Sequence, residues 1–356
     1  MGKQYLTSLA VGCICVLLGG AARADCTADM NDEYPDFDMG NHYVPRDAPI
    51  GSVIGVASRT YQNNYTSNIW CKPGDVLSVW ANWPDVPNVT LPAPWLQATV
   101  IKTNIPGVGL IAQVSWLGLG DWALVSGNLG FMPYSVRRTA ASAFVRGPAV
   151  VRFTLVKTSN TIPVGITQLK NSTSAIKFTS GSKQLFSVFV AGSVTRSECS
   201  LPNSTPGGQT YITVPMGDVN RRKFSGKDSY LDSKDFTIPL TSCVAGTYPA
   251  DQQWNFYQNS NVNIKFEGAG GSPIIDAARG IVGLTSESKA KGIAVQILRK
   301  DGVTPLSLNM DVSLAQVVGT SMNIGLKARY IQTSESPLGP EPGVANARLA
   351  FTVTYK

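Results

Sequence analysis

The stretch GVANARLAFTVTYK, residues 343–356, alternates with a period of two. Ala345, Ala347, Leu349, Phe351, Val353 and Tyr355 form one set, and Asn346, Arg348, Ala350, Thr352, Thr354 and Lys356 the other. A pleated strand sends successive side chains to opposite faces, so this pattern predicts a strand over Gly343–Lys356 with one buried face. Such a strand needs partners for its backbone N–H and C=O groups. The question it raises is what lies beside it.

Upstream text has the same β character. VVRFTLVKT (150–158), SVFVAGSV (187–194), QTYITVPM (209–216) and NVNIKFEG (261–268) read as strands, bounded by Gly, Pro, Asn and Ser. Helical periodicity is rare and no repeat of 20–50 residues is present. The predicted fold class is all-β, with two tandem immunoglobulin-like β-sandwiches.

Residues 1–24 read as a secretory signal peptide. Lys3 supplies the charged start, YLTSLAVGCICVLLGGA (5–21) the apolar run, and Ala22-Arg23-Ala24 the small-x-small cleavage site. The run falls short of the ~20 apolar residues of a membrane span. Removal takes Cys13 and Cys15 away and leaves Cys26, Cys71, Cys199 and Cys243, an even number suited to an oxidising compartment. Four cysteines allow three pairings. The gaps favour two local loops, Cys26–Cys71 and Cys199–Cys243. Without a CxxC pair, metal or redox chemistry has little support.

Charge is uneven. Residues 25–47 hold seven acidic residues (Asp25, Asp29, Asp32, Glu33, Asp36, Asp38, Asp47) against Arg46. Residues 122–196 contain no Asp or Glu but carry Arg137, Arg138, Arg146, Arg152, Lys157, Lys170, Lys177, Lys183 and Arg196. A basic surface of this kind attracts acidic partners, and the chain's own acidic segment is an equal candidate.

Chemistry is sparse. His42 is the one histidine, so two-histidine metal sites are impossible, and no GxSxG elbow, HExxH or phosphate-binding loop is present. DMNDEYPDFD (29–38) lacks the glycine and terminal glutamate of a calcium loop and reads as a solvated acidic turn. No enzyme activity, metal or cofactor is expected, and no nucleic-acid partner. Tryptophans cluster in the first half. Trp70 and Trp80, in strand-like text around Cys71, read as core. Trp83, Trp95 and Trp122 lie in turn-like text where an indole can serve as a stacking platform.

The terminal alternation, with Gly343 fourteenth from the end and Tyr355 penultimate, resembles the C-terminal signature of chaperone–usher pilus subunits. CSLPNSTPGGQTYITVPMGDVNRRKFSG (199–226), FTIPLTSC (236–243), GIAVQIL (292–298) and VGTSMNIGLKARY (318–330) resemble the same pilin domain. The resemblance implies an immunoglobulin-like domain lacking its last strand. Its groove takes a strand from a periplasmic chaperone and then from the next subunit, delivered at an outer-membrane usher, a form of β-augmentation. Gly343, Ala345, Ala347, Leu349, Phe351, Val353, Tyr355 and Lys356 would then line the groove.

A shaft pilin carries a donor strand before its first cysteine. Here Cys26 follows the predicted cleavage site almost at once, and about 170 residues of extra domain take that place. This layout is similar to two-domain tip adhesins. PIGSVIG (49–55), TNIPGVGL (103–110) and FTLVKTS (153–159) are most similar to type 3 fimbrial adhesins, a group associated with collagen binding and biofilm growth. The mannose-pocket residues of more distant adhesins do not carry over. The resulting division is a signal peptide (1–24), a receptor-binding domain (25–192), a linker (193–198) and a pilin domain (199–356). The protein is expected at the fimbrial tip on the bacterial surface, bound to a matrix protein such as collagen or to a glycan. The candidate receptor residues, chosen for turn-like context and aromatic or charged character, are Trp83, Asp85, Trp95, Asp121, Trp122, Tyr134, Arg137 and Arg138. A structural minor pilin without receptor binding is the alternative reading. A hydrolase with a β-sandwich appendage is a third, disfavoured by the single histidine.

Overall fold

The computed structural model of the chain describes residues 26–28, 37–61, 69–81, 85–86, 88–116, 121–128, 130–139, 144–145, 149–170, 176–202, 210–246 and 260–356. Strand accounts for 51% of it and helix for 2%, so the fold class is all-β. The predicted signal peptide and most of the acidic run 29–38 lie outside the described residues.

In the first half, the strand Ala149–Lys157 is the centre. It pairs antiparallel with Val53–Tyr61 on one side and with Val108–Trp116 on the other. The sheet continues through Phe131–Arg138, Val76–Trp80, Ile176–Ser180 and Lys183–Val188. Facing it is a smaller sheet in which Val190–Ser197 lies between Gly165–Leu169 and Phe37–Pro45. Residues of period two from both sheets fill the space between them. Val151, Phe153 and Leu155 come from one layer, Phe37, Met39, Leu169 and Val194 from the other. Phe37 meets Phe153 edge-on at 4.7 Å. Side chains of this kind, buried to 3% or less for Phe37, Phe153 and Leu155, are each worth about 1.5–3 kcal/mol.

Alternation explains two departures from expectation. Along Val76–Trp80 the inward residues are Leu77 and Val79, so Trp80 falls on the outer face, half-buried beneath the Lys177 ammonium at 5.5 Å. Trp70 is 39% exposed. Neither is core. Trp95 is instead 1% exposed, packed with Val53, Leu91, Val100, Ile111 and Val156 in a second, smaller core where loop 88–100 folds over one end of the outer face. His42 is buried too. Its ring sits on Gly55, where a Cβ would come within 2.1 Å of Nδ1, and its Nε2 lies 2.9 Å from the Met39 carbonyl.

The second half packs a five-stranded sheet (Lys234–Leu240, Met322–Gln332, Ile293–Arg299, Ile281–Val282, Ile274–Asp276) against a three-stranded one (Val312–Gln316, Asn261–Gly268, Leu349–Tyr355). NVNIKFEG is a strand over its full predicted length. QTYITVPM is not. Residues 210–219 form no ladder, although Ile212, Val214 and Met216 pack on the core. SVFVAGSV breaks at Phe189, where the chain passes from one sheet of the first half to the other. The stretch read as a linker, 193–198, is strand through Ser197 and pairs with Asn41–Pro45, so the crossing between halves comes at Glu198 and Cys199. Disulfides join Cys26 to Cys71 and Cys199 to Cys243.

Candidate functional site

The strand predicted over Gly343–Lys356 forms over Leu349–Tyr355. It pairs antiparallel with Asn261–Gly268, from Val262↔Tyr355 to Gly268↔Leu349. It ends its sheet, and among the described residues no strand runs along its other edge. The residues just before it are held differently. The Lys289 N–H donates to the Val344 carbonyl (2.9 Å), Thr285 N–H to the Asn346 carbonyl (2.7 Å) and the Tyr330 hydroxyl to the Ala345 carbonyl (2.8 Å). Arg348 N–H donates to the Ser272 hydroxyl at 3.0 Å. Serine hydroxyls as acceptors and loop N–H groups as donors replace a regular partner strand here, which is why the strand is shorter than its alternation. Gly343 is needed at the start of this run because a Cβ would lie 2.6 Å from the Ala290 nitrogen.

Burial along the run is graded. Tyr355 and Val353 are buried at 1% and 9% exposure, while Phe351, Leu349, Ala347 and Ala345 are only half-buried against the same core. Ile212, Val214 and Met216, in the ladderless run 210–219, are half-buried against that core as well. Apolar side chains that face a core yet stay wet, beside backbone groups with no ladder partner, make a groove suited to an added strand. Burial pushes the Tyr355 phenol up to about 12, and its hydroxyl donates to the Cys199 carbonyl at 2.8 Å.

The candidate receptor residues do not form one patch. Asp121, Trp122, Arg137 and Arg138 come together where Trp122–Asn128 pairs with Phe131–Arg138. Arg138 points inward, 4% exposed, with its guanidinium 3.0 Å from the Asp121 carboxylate and 5.5 Å from the Trp122 ring. Arg137, one residue along, points outward and is exposed. Asp85 is exposed on the loop side, bridged to Ile101.

Three candidates are corrected by their burial. Tyr134 is 2% exposed in the main core with its hydroxyl donating to the Val114 carbonyl. Trp95 fills the smaller core, and Arg138 is an internal ion-pair partner rather than a surface contact. Period-two alternation within Phe131–Arg138 sends Met132, Tyr134, Val136 and Arg138 to one side, which turn-like text had obscured. Trp83 lies outside the described residues.

The structure also gathers Arg46, Asp47, Lys157, Arg196 and Glu198 where the halves meet. No local signal marks this cluster, because it joins three segments, 46–47, 157 and 196–198, that are far apart in sequence. The Lys ending the apolar run FTLVK was its one trace. Cys26, Cys71 and Asp75 lie close together, but both sulfurs are committed to the disulfide and the Asp75 carboxylate accepts from the Lys72 N–H at 2.6 Å.

A family model described as fimbrial protein matches residues 185–356. A fimbria adhesin protein of Klebsiella pneumoniae is 23% identical over 342 residues, covering 94% of this chain and 95% of the relative. Among solved structures, the receptor binding domain of the plasmid-born adhesin MrkD1P of Klebsiella pneumoniae is 19% identical, covering 50% of this chain and 99% of its own, with a TM-score of 0.35. The CupB6 tip adhesin from Pseudomonas aeruginosa is 16% identical, covering 93% of this chain and 95% of its own, with a TM-score of 0.36. Residues 185–356 thus resemble a fimbrial protein, and the chain resembles a fimbria adhesin along nearly its whole length.

Proposed function

We propose that this chain is a fimbrial tip adhesin, a binding protein rather than an enzyme. Its first half, about residues 25–192 with the strand through Ser197, grips a host or matrix receptor, either a collagen-like protein or a glycan. Its second half joins the fimbria by accepting a donor strand, first from a periplasmic chaperone and then from the next subunit at the usher. It reaches the cell surface through the periplasm. The observation that carries this reading is that, among the described residues, no strand pairs with the outer edge of Leu349–Tyr355, where Leu349 and Phe351 stay half-buried. An apolar groove left open in this way aggregates unless a strand fills it.

The test is co-expression of the full chain with a periplasmic pilus chaperone. A complex is expected for the intact chain and its loss on deleting residues 350–356. A truncated chain that still co-purifies with the chaperone would overturn the donor-strand reading. The same complex, applied to a glycan array and to a panel of matrix proteins including collagens, tests the receptor. Saturable binding supports an adhesin; no binding to either panel favours a structural minor pilin. Of the receptor candidates, Arg137, Trp122, Asp121 and Asp85 remain accessible for mutagenesis.

A further inference from the structure

The open edge of the terminal strand is not open to its end. In the antiparallel ladder with Asn261–Gly268, Lys356 exchanges both bonds with Asn261, N–H to O at 2.7 and 3.1 Å. Backbone groups alternate sides along a strand, so those of Leu349, Phe351, Val353 and Tyr355 turn to the other edge. At Tyr355 that edge is occupied by the first half of the chain. The Asp47 N–H donates to the Tyr355 carbonyl at 3.0 Å, and the Tyr355 N–H donates to the Asp47 carboxylate at 2.8 Å. One residue thus supplies the donor and acceptor of a β rung, its carboxylate standing where a strand would place a carbonyl. The Arg46 guanidinium donates to the Val353 carbonyl at 2.8 Å and lies 4.7 Å from the Tyr355 ring centre.

This turn is held firmly. The buried Lys157 ammonium bonds the carbonyls of Arg46 and Ala48, both at 2.7 Å. Arg46 is further paired with its neighbour Asp47 at 2.8 Å and with Glu198 at 3.5 Å, and Glu198 with Arg196 at 2.6 Å. Burial is the largest single influence on the Arg46 guanidinium and pulls its pKa down, but Asp47, Glu198 and Tyr355 together outweigh it and raise the pKa overall.

We infer that the receptor-binding half owns the last rung of the acceptor edge. Among the described residues nothing else bonds the outer backbone groups of Leu349 and Phe351, so a strand added to this edge can pair with them and meets Arg46 and Asp47 beyond them. It can extend to Tyr355 only if the two halves part. Strand length and domain docking are therefore in direct competition at Val353 and Tyr355. The inference rests on the donor-strand reading for the identity of the incoming strand, whereas the Asp47–Tyr355 rung stands without it.

Residue-resolved amide hydrogen exchange on the full chain, alone and in complex with the co-expressed chaperone, tests this. In the chain alone, Asp47→Ala is expected to speed exchange of the Tyr355 amide by about tenfold or more, the loss of one hydrogen bond. Asp47→Asn, which keeps an oxygen acceptor, is expected to retain most of the protection and guards against a general loosening of the turn. In the complex, the Phe351 amide is expected to gain protection while the Tyr355 amide stays sensitive to Asp47→Ala. A Tyr355 amide indifferent to Asp47→Ala in the chain alone would overturn the rung. A Tyr355 amide that becomes indifferent only in the complex would mean the added strand runs to the end, overturning the assigned boundary. A Phe351 amide unprotected in the complex would instead sink the donor-strand reading, with the Tyr355 response still reporting on the rung.

Discussion

The Lys157 ammonium lies 2.7 Å from the carbonyl oxygen of Arg46, and the same distance from that of Ala48, in a side chain only 1% exposed. A charge this deeply placed survives because two carbonyl dipoles converge on it. Burial nonetheless lowers its pKa. Lys157→Met removes both bonds and leaves two carbonyls without a partner. The expected loss is about 2–4 kcal/mol in urea unfolding of the full chain, taking ~1.5–3 for a hydrogen bond to a charged group and allowing for relief of desolvation. Between its lowered folded pKa and its ordinary value the unfolded chain holds the extra proton, so wild-type stability rises with pH there. The Lys157→Met curve is expected to lack that rise.

Tyr355 works in the opposite direction. Its phenol is raised to about 12 by burial, so below the ordinary value near 10 the full stabilising contribution is present. Between about 10 and 12 the unfolded chain has lost the proton and the folded chain has kept it, and stability falls as pH rises. Tyr355→Phe is expected to cost about 1 kcal/mol at pH 8, for the bond to the Cys199 carbonyl, and to flatten the decline above pH 10. Absorbance titration of the variant should lack one of the late-titrating phenols of the wild type, whose Tyr330 is also raised by burial.

Trp95 and Arg137 separate stability from recognition. Trp95→Ala empties the small core beneath loop 88–100 and is expected to destabilise by about 3–5 kcal/mol in thermal or urea unfolding. Any receptor loss it causes then reflects folding. Arg137→Ala, on an exposed position, is expected to stay within about 0.5 kcal/mol of wild type, so a change in receptor binding by that variant reports contact.

The two disulfides close loops of 45 and 44 residues in sequence separation. Chain-entropy arithmetic gives about 4 kcal/mol for each as an upper, model-dependent figure. Paired Cys→Ser variants are expected to lower stability by about 2–4 kcal/mol. Cys199→Ser/Cys243→Ser is expected to loosen the Tyr355 hydroxyl bond as well, because its acceptor is the Cys199 carbonyl. Loss of the late-titrating phenol in that variant, and its retention in Cys26→Ser/Cys71→Ser, is the check.

Much of the architecture was legible because strand periodicity is a local code. NVNIKFEG and VVRFTLVKT read as strands and form them, and the alternation of residues 345–355 states which side chains face the core. The same code misled where it was not applied residue by residue. Tyr134 and Arg138 share an inward face with Met132 and Val136, and Trp80 an outward face with Val76 and Ser78. QTYITVPM alternates like a strand, yet a strand exists only when a neighbour accepts its ladder, and no sequence window contains that neighbour.

By itself, then, the sequence determined the all-β class, the two halves and the inward set of the terminal strand. These depend on side-chain pattern within a few residues and on hydrophobic burial, which reads pattern directly. Only the tertiary structure decided that the terminal strand is flanked on one side and that its last rung belongs to Asp47. It also decided that Lys157 anchors the turn that carries Asp47. Backbone hydrogen bonds carry no residue code, and Asp47 reaches Tyr355 across 308 positions of chain, a pairing that folding alone can bring about.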